Sequence, residues 1–300
     1  MSLHIVTPLL YSPGLKCWLK MDALQPAGSF KIRGIGHLCE YYAHEGQAKC
    51  FVSSSGGNAG IAVSYAGQKL GIPVEVVVPK TSSPLMIDKI KSLGANVTVH
   101  GEDWNGADAR VQAMLRENEG YAYIPPFNHP KIWDGHASII REVAAEHIKP
   151  DVVIVAVGGG GLLCGIVQGL HEQGWNDVPV IAAETEGAAS MAAALKAGEP
   201  VTLDSIETVA TSLGAKRVCD QAIAWSERHE IISAVVSDKQ ALDACAHFAN
   251  EQRVLVEPAC GAALAAIKHR YKSPLVIVCG GNGVSLDLVN AWSHNLRGQL

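Results

Sequence analysis

The chain has 300 residues, a net charge of −5 and a sequence isoelectric point near 6.2. Its hydrophobic share of 48% and charged share of 18% are ordinary for a globular enzyme with one large or two modest domains. No Lys/Arg cluster occurs, which argues against nucleic acid and anionic membrane as partners. The N-terminal sequence has no secretory signal pattern and no transmembrane stretch, so we expect a cytoplasmic protein.

The eight cysteines and twelve histidines do not form metal-binding motifs. No Cys-x-x-Cys, His-x-x-x-His or His-Glu-x-x-His spacing occurs, so we expect no zinc site. Scattered cysteines in a chain of this size predict buried thiols in a reducing compartment.

Short Val/Ile-rich runs alternate with amphipathic segments along most of the chain. The predicted strands are 50–53, 74–78, 97–100, 121–124, 152–157, 178–183 and 275–278. The predicted helices are 58–70, 84–93, 107–117, 136–147, 162–171, 188–196, 239–251, 259–270 and one from about 285. Near-continuous apolar strands between helices predict an α/β fold with parallel sheets covered on both faces.

Turn residues cluster at 34–36 and at 125–131, which are the expected domain boundaries. This pattern predicts a small α/β domain, residues 35–131, inserted into a larger domain formed by residues 1–34 and 132–300. The cleft between two such domains is the expected ligand site.

Lys31 lies in the run 29–34 (SFKIRG), directly after Phe30 and between Gly28 and Gly34. Burial lowers the pKa of a lysine, and a neutral amine can attack an aldehyde to form a Schiff base. The alternative is a surface lysine whose stem lies along apolar neighbours. The run alone leaves both interpretations open.

Three glycine-rich loops follow predicted strands: 53–60 (SSSGGNAG), 158–161 (GGGG) and 279–283 (CGGNG). Backbone N–H groups at a helix N-terminus bind anions such as carboxylate or phosphate. Glycines also serve simply to make tight turns. Three such loops at the carboxyl ends of strands, where open α/β sheets bind ligands, favour a binding role.

A nicotinamide-binding Rossmann enzyme is the competing interpretation, with Glu184 as the ribose-binding acid after the predicted strand 178–183. The pattern Gly-x-Gly-x-x-Gly fails at the tetraglycine, because Leu163 or Cys164 stands at the third glycine position. The strand after the first loop ends in Val78-Pro79-Lys80 without an acid. A dinucleotide site is therefore disfavoured.

Taken together, these motifs resemble the fold-type II pyridoxal-phosphate (PLP) enzymes, and within them the catabolic L-serine/L-threonine dehydratases. The resemblance runs nearly end to end and implies two α/β domains of the tryptophan-synthase-β-like fold, with the cofactor between them. The matching strings are 29–34 (SFKIRG), 54–60 (SSGGNAG), 125–127 (PPF), 132–138 (IWDGHAS), 158–165 (GGGGLLCG), 256–264 (VEPACGAAL) and 278–281 (VCGG).

The resemblance implies that Lys31 holds the cofactor as a Schiff base and, once released by the substrate amine, takes the Cα proton. Loss of the β-hydroxyl then yields pyruvate and ammonia from serine, or 2-oxobutyrate from threonine. The implied catalytic residues are Lys31 and Ser55. The implied cofactor contacts are Phe30, Lys31, Asn58, Gly158, Gly159, Gly160, Gly161, Leu162 and Cys279. The implied substrate contacts are Ser54, Ser55, Gly56, Gly57 and Asn58.

Cys279 would face the pyridine nitrogen of the cofactor. A thiol is a weak hydrogen-bonding partner, so it leaves that nitrogen neutral where an aspartate would keep it protonated. The resulting carbanion is less stabilised and expels the β-hydroxyl promptly, which favours β-elimination over transamination. Without the resemblance, Cys279 would be interpreted as a small buried hydrophobic residue.

Glu184 then has two interpretations, a charge at a helix N-terminus and a ligand of a monovalent cation. The resemblance implies a potassium site beside the phosphate loop, in which Glu184 acts with backbone carbonyls. The implied carbonyl ligands are those of Gly158, Ala188, Leu213 and Ala215.

Cysteine synthase, threonine synthase and serine racemase activities are the alternatives within the same fold. Outside it, a nicotinamide enzyme or a catalytically silent cofactor-binding protein remains open. Related enzymes are dimers, so we expect a homodimer that acts on a small amino acid. The short tail after the last predicted helix leaves no room for a regulatory domain, so feedback by isoleucine is not expected.

Overall fold

The structure, a computed structural model, describes residues 2–46 and 48–297. By their contacts the residues fall into two compact units. Unit 1 comprises Met1–Ile5 and Gln25–Gly135, and unit 2 comprises Val6–Leu24 and His136–Leu300. Residues 25–34 make their contacts within unit 1, whereas the sequence-based division placed them in the larger domain. The domain division itself stays a prediction.

Strands and helices alternate along most of the described chain. The strands are β1 (Leu9–Ser12), β2 (Cys17–Lys20), β3 (Cys50–Ser53), β4 (Val74–Val78), β5 (Asn96–Val99), β6 (Tyr121–Tyr123), β7 (Val152–Ala156), β8 (Val180–Thr185), β9 (Ile231–Val236) and β10 (Pro274–Ile277). The helices are α1 (Lys31–His44), α2 (Asn58–Leu70), α3 (Pro84–Ser92), α4 (Trp104–Glu117), α5 (Pro130–Ala145), α6 (Gly161–Glu172), α7 (Ser190–Ala197), α8 (Asp220–Ser226), α9 (Asp238–Gln252), α10 (Pro258–Ala265) and α11 (Leu286–Arg297). Short 3-10 turns cover Asp22–Leu24, Glu186–Ala188 and Thr211–Leu213.

Unit 1 contains a parallel sheet in the order β5-β4-β3-β6. The central strand β3 is buried at all four positions, as expected for a parallel strand covered on both faces. Helices α1 and α2 pack together, and their apolar faces join the strand residues in one core around Ile35, Phe51 and Val63.

Unit 2 contains a six-stranded sheet in the order β1-β2-β10-β7-β8-β9. Strands β1 and β2 form an antiparallel pair at one edge, and the remaining pairings are parallel. Strand β7 is buried along its whole length and leads directly into the tetraglycine. The predicted α/β class with parallel sheets is confirmed.

Several elements differ from those predicted. The edge hairpin β1–β2, helices α1 and α8, and strand β9 were not predicted. The strand expected at 178–183 begins at Val180, because Pro179 has no N–H group to donate to the sheet, and it continues to Thr185 through its pairing with β9. The helix expected at 259–270 ends at Ala265. Within the described part of the chain, we find no helix with the length and apolarity needed to cross a membrane.

Candidate active site

Lys31 is the first residue of α1, and Phe30 precedes it as the N-cap. The Lys31 side chain is partly buried, and its Nζ donates a hydrogen bond of 2.6 Å to the carbonyl oxygen of Pro126. The same Nζ lies 5.2 Å from the centre of the Phe30 ring. The amine thus contacts a backbone carbonyl and lies beside an aromatic ring, and its role as the Schiff-base lysine stays a prediction.

The serine- and glycine-rich loop of unit 1 connects β3 to α2, which begins at Asn58. Its last residue, Gly57, is the N-cap of α2, and no side chain caps this helix end. The N–H of Gly57 donates to Ser55 Oγ at 3.4 Å. A Cβ on Gly60 would overlap the carbonyl oxygen of Ser55, so only glycine allows the loop to lie this close to the helix. A helix N-terminus without a side-chain cap can bind a carboxylate.

Ser54, unlike Ser55, is fully buried and its hydroxyl is already bonded inside unit 1. It donates to Oδ1 of Asp108 at 2.7 Å, and the hydroxyl of Tyr123 donates to the same oxygen at 2.7 Å. Burial raises the pKa of Tyr123, so its phenol remains a donor. Ser54 was predicted to contact substrate, and this network leaves mainly its backbone for that role. Sequence reasoning missed Asp108 and Tyr123, which lie 54 and 69 positions away along the chain.

Gly56 lies beside the side chain of Ser82 in the same unit. A Cβ on Gly56 would lie 2.5 Å from Ser82 Oγ and 3.2 Å from Cγ1 of Val78. An alanine at this position would therefore displace the Ser82 hydroxyl and press against β4.

The tetraglycine of unit 2 connects β7 to α6, which begins at Gly161. Gly160 has a φ of 87° and no side chain caps the helix. The N–H of Cys219 donates to the carbonyl oxygen of Gly159 at 3.0 Å. A Cβ on Gly158 would lie 3.2 Å from the Cα of Leu213, so backbone packs directly against backbone. This loop has the left-handed residue and the bare helix end that a phosphate-binding turn requires.

Glu184 is fully buried near the end of β8. Its carboxylate accepts hydrogen bonds from the N–H groups of Met191 (2.7 Å) and Ala192 (2.8 Å) in the first turn of α7. The helix-terminus interpretation is thus confirmed. Burial nevertheless raises the pKa of Glu184 to about 7, while the two backbone donors act in the opposite direction.

The carbonyls predicted to join Glu184 belong to segments that meet around Gly158. The carbonyl oxygen of Gly158 accepts from Ser190 Oγ at 3.4 Å, and Leu213 packs against Gly158. The N–H of Ala215 donates to the carbonyl oxygen of Leu213 at 2.7 Å. Ala188 ends the 3-10 turn that leads from β8 to α7. A cation ligand set of this composition remains a prediction.

Cys279 follows β10 and is buried, with its thiol hydrogen-bonded to Cys260. The Cys260 thiol and burial together raise the pKa of Cys279, so the group stays a neutral thiol. The glycines that follow have φ angles of 83° and 134°, which an L-residue rarely adopts.

Glu257, to which sequence analysis gave no role, supports this third loop. Its carboxylate accepts from the N–H of Gly283 at 2.6 Å and from the hydroxyl of Ser212. A Cβ on Gly281 would overlap the Glu257 side chain, so the loop and the carboxylate fit only with glycine there.

Comparison with known proteins places the chain in a family. The profile described as "Pyridoxal-phosphate dependent enzyme" matches residues 1–280. The chain therefore belongs to the pyridoxal-phosphate dependent enzymes, and the fold-type II resemblance is confirmed by solved structures of that fold.

The chain is 47% identical over 315 residues to the human "L-serine dehydratase/L-threonine deaminase", covering 98% of this chain and 96% of that protein. It is 41% identical over 319 residues to the "L-serine dehydratase" of Dictyostelium discoideum, covering 96% and 91%. The crystal structure of a fungal L-serine ammonia-lyase from Rhizomucor miehei superposes with a TM-score of 0.91 at 36% identity, covering 98% and 99%. Maize serine racemase superposes with a TM-score of 0.88 at 25% identity, covering 99% and 94%.

The residues present fit PLP. Unit 1 supplies a lysine amine beside an aromatic ring and a helix end suited to a carboxylate. Unit 2 supplies a glycine-lined helix end suited to a phosphate and a buried neutral thiol. These are the groups that an aldehyde with a phosphate and a pyridine ring would need.

Proposed function

We propose that this chain catalyses the PLP-dependent β-elimination of L-serine to pyruvate and ammonia, and of L-threonine to 2-oxobutyrate and ammonia. The observation that carries this proposal is the 47% identity, over nearly the whole of both chains, to an L-serine dehydratase/L-threonine deaminase. The structure supports it by holding the amine of Lys31 inside unit 1, where a solvated amine would have argued against it.

Bound PLP supplies an electron sink for a carbanion at Cα, and the protein supplies orientation and proton transfer. In our proposal Lys31 anchors the cofactor and then removes the Cα proton of the substrate. A positioned base of this kind contributes roughly 10²–10⁴ in rate. Ser55 and the N–H groups at the start of α2 would bind the substrate carboxylate, so that the Cα proton faces the amine.

The remaining residues would orient the cofactor. Phe30 would pack beside the ring, and Asn58 would bond its phenolic oxygen. The loop from Gly158 to Leu162 would hold the phosphate. The neutral thiol of Cys279 would face the ring nitrogen without protonating it, and a weakly stabilised carbanion favours loss of the β-hydroxyl.

We also propose that a potassium ion binds at Glu184 with the carbonyls of Gly158, Ala188, Leu213 and Ala215. Oxygen ligands suit a hard cation, and a cation would offset the burial that raises the pKa of this carboxyl to about 7. Among the described residues, no group of three or more His, Cys, Asp or Glu side chains is arranged to hold a metal ion. The proposed site therefore depends on a single carboxylate and on backbone oxygens.

Serine racemization is the second candidate, because the fold of maize serine racemase matches nearly the whole chain. Racemases return a proton to Cα from the opposite face, and synthases trap aminoacrylate with a nucleophile. A nicotinamide enzyme has no support, since the family match is to PLP enzymes. We further propose a cytoplasmic homodimer, which light scattering of the purified protein and fractionation of the source cells would test.

The deciding experiment follows the products of the holoenzyme with L-serine. We expect pyruvate in equal amount to the serine consumed, measured by coupling to lactate dehydrogenase, with D-serine and cysteine (in the presence of sulfide) as minor products. D-serine as the main product would favour the racemase. A normal visible Schiff-base absorbance without any product would favour a silent cofactor-binding protein.

A further inference from the structure

Three polar side chains of unit 1 meet at the start of the loop 54–57. Ser54 follows β3, Asp108 lies on α4, and Tyr123 ends β6. A single carboxylate oxygen, Oδ1 of Asp108, accepts both hydroxyl hydrogens at 2.7 Å, and the two hydroxyl oxygens lie 3.3 Å apart.

This network allows one orientation of the Ser54 hydroxyl. Ser54 is fully buried, so water cannot replace its partner. Burial raises the pKa of Tyr123, so the phenol keeps its proton and donates it to the carboxylate of Asp108. Hydrogen bonds to an ionised carboxylate are stronger than those between neutral groups. The side chain at the first loop position is therefore held by charge-assisted bonds.

The rest of the loop has few side chains that could fix its path. Gly56 and Gly57 have none, and glycine populates more backbone conformations than any other residue. At the far end, the close approach of Gly60 to the carbonyl oxygen of Ser55 holds the loop against α2. At the near end, Ser54 provides the corresponding attachment through Asp108.

We propose that Asp108 and Tyr123 are positioning residues that fix the substrate loop 54–57 through Ser54. They thereby align Ser55 and the adjacent N–H groups with the carboxylate of the amino-acid substrate. This inference rests on the proposed function, since it takes the loop to be the carboxylate site. Misplacement of a substrate-positioning group by about 1 Å can cost on the order of 10²-fold in rate.

The test measures steady-state kinetics with L-serine, together with binding of glycine and of PLP, for Asp108→Ala, Asp108→Asn and Tyr123→Phe. Glycine has no β-hydroxyl, so its binding, followed by the absorbance of the holoenzyme, reports carboxylate recognition without elimination. We expect Asp108→Ala to lower kcat/KM by about 10–100-fold and to weaken glycine binding. Asp108→Asn keeps an oxygen that can accept from Ser54, and Tyr123→Phe keeps the hydrogen bond between Ser54 and Asp108. Both variants should therefore lose less kcat/KM and less glycine affinity than Asp108→Ala. The affinity for PLP should stay the same.

Glu117→Gln is the matched control. Glu117 lies on the same helix as Asp108 and forms an exposed ion pair with Arg110 at 3.4 Å. This variant should leave every parameter unchanged. The double variant Ser54→Ala/Asp108→Ala should be no worse than the poorer single variant, because both substitutions remove the same bond.

Each outcome bears on the proposal. If the Asp108 variants melt at lower temperature but keep wild-type KM, kcat per bound PLP and glycine affinity, Asp108 is only structural and the proposal is overturned. If the wild-type holoenzyme binds glycine but forms no pyruvate, the proposed elimination is wrong. The glycine affinity of the Asp108 and Tyr123 variants then still tests whether these residues position the loop. If it binds no glycine, the loop is not a carboxylate site and the inference is overturned as well.

Discussion

The two glycine-rich helix starts are held in place by different means. In unit 1 the loop 54–57 is attached through polar side chains, with Ser54 bonded to Asp108 and Tyr123. In unit 2 the loop 158–161 is attached through backbone, with Gly159 bonded to the N–H of Cys219 and Gly158 packed on Leu213. Both loops present a helix N-terminus without a side-chain cap.

The difference fits the two ligands that we assign to these loops. A phosphate is the same in every PLP enzyme, so backbone geometry suffices to bind it. An amino-acid substrate must be oriented for proton removal, and the side-chain bonds of Ser54 fix the loop that we expect to orient it. We therefore expect substitutions in unit 1 to alter catalysis, and substitutions in the unit 2 loop to alter retention of the cofactor.

The largest effect should come from Lys31→Ala, which tests whether the chemistry belongs to unit 1. Loss of a positioned base alone predicts a fall in pyruvate formation of about 10²–10⁴-fold. The visible absorbance of the cofactor's Schiff base should also disappear. Lys69→Ala is the control, since Lys69 lies 5.5 Å from the Tyr65 ring much as Lys31 lies beside Phe30. Retention of the absorbance band in Lys31→Ala would show that another lysine anchors the cofactor.

Gly160→Ala should come next and should act on cofactor retention. At a φ of 87° an L-residue costs about 1–2 kcal/mol, and the new Cβ would lie 3.0 Å from the Cβ of Ala222. We expect the dissociation constant for PLP, measured by titration of the apoenzyme, to rise about tenfold or more.

Gly174→Ala separates phosphate binding from backbone strain. Gly174 follows the other end of α6 with a φ of 68°, and a Cβ added there would meet no atom within 4 Å. Gly174→Ala should lower the free energy of unfolding by about as much as Gly160→Ala does, but it should leave the affinity for PLP unchanged. Equal loss of PLP affinity in both variants would remove the special role of the tetraglycine.

The elements that could be predicted best from the sequence are those that depend on residues close together along the chain. The central strands and helices of both sheets were predicted because apolar periodicity is local. The strand β9 was missed, and in the structure several of its residues remain partly or largely exposed, so it lacks the continuous burial of β7. The start of β8 was misplaced because the effect of Pro179 was not weighed.

The candidate site shows the same limit. The glycine loops and Lys31 could be found from their motifs, since each is contiguous in sequence. Asp108 could not, because it lies on a polar helix and bonds Ser54 across 54 positions. Nor could the carboxylate of Glu184 be assigned to the N–H groups of α7 before the fold showed where that helix begins.

A smaller effect, on the melting temperature, is expected when potassium binds at the site that we propose in unit 2. A ligand that binds only the folded state stabilises it by mass action. At equal ionic strength we expect potassium chloride to raise the melting temperature by roughly 2–4 °C over tetramethylammonium chloride, which corresponds to about 1 kcal/mol. Glu184→Gln should lose this difference, whereas Glu186→Gln, at an exposed carboxyl two residues further on, should keep it. An equal response to both salts in the wild-type protein would argue against the cation site.

Gly56→Ala should have the smallest effect and should sharpen the contrast between the two loops. The added methyl would meet Ser82 Oγ at 2.5 Å, and a single side chain can rotate to relieve that contact. The loop would then shift against β4 without losing the Ser54 network, so we expect kcat with serine to change by less than about tenfold, equivalent to about 1.4 kcal/mol. PLP affinity should change less than kcat, because we assign the phosphate to the loop of unit 2. The double variant Gly56→Ala/Ser82→Gly, which removes the opposing side chain, should return kcat toward the wild-type value. Unchanged kinetics in the single variant would mean that the loop tolerates the methyl, and that the side-chain attachment at Ser54 alone determines its position.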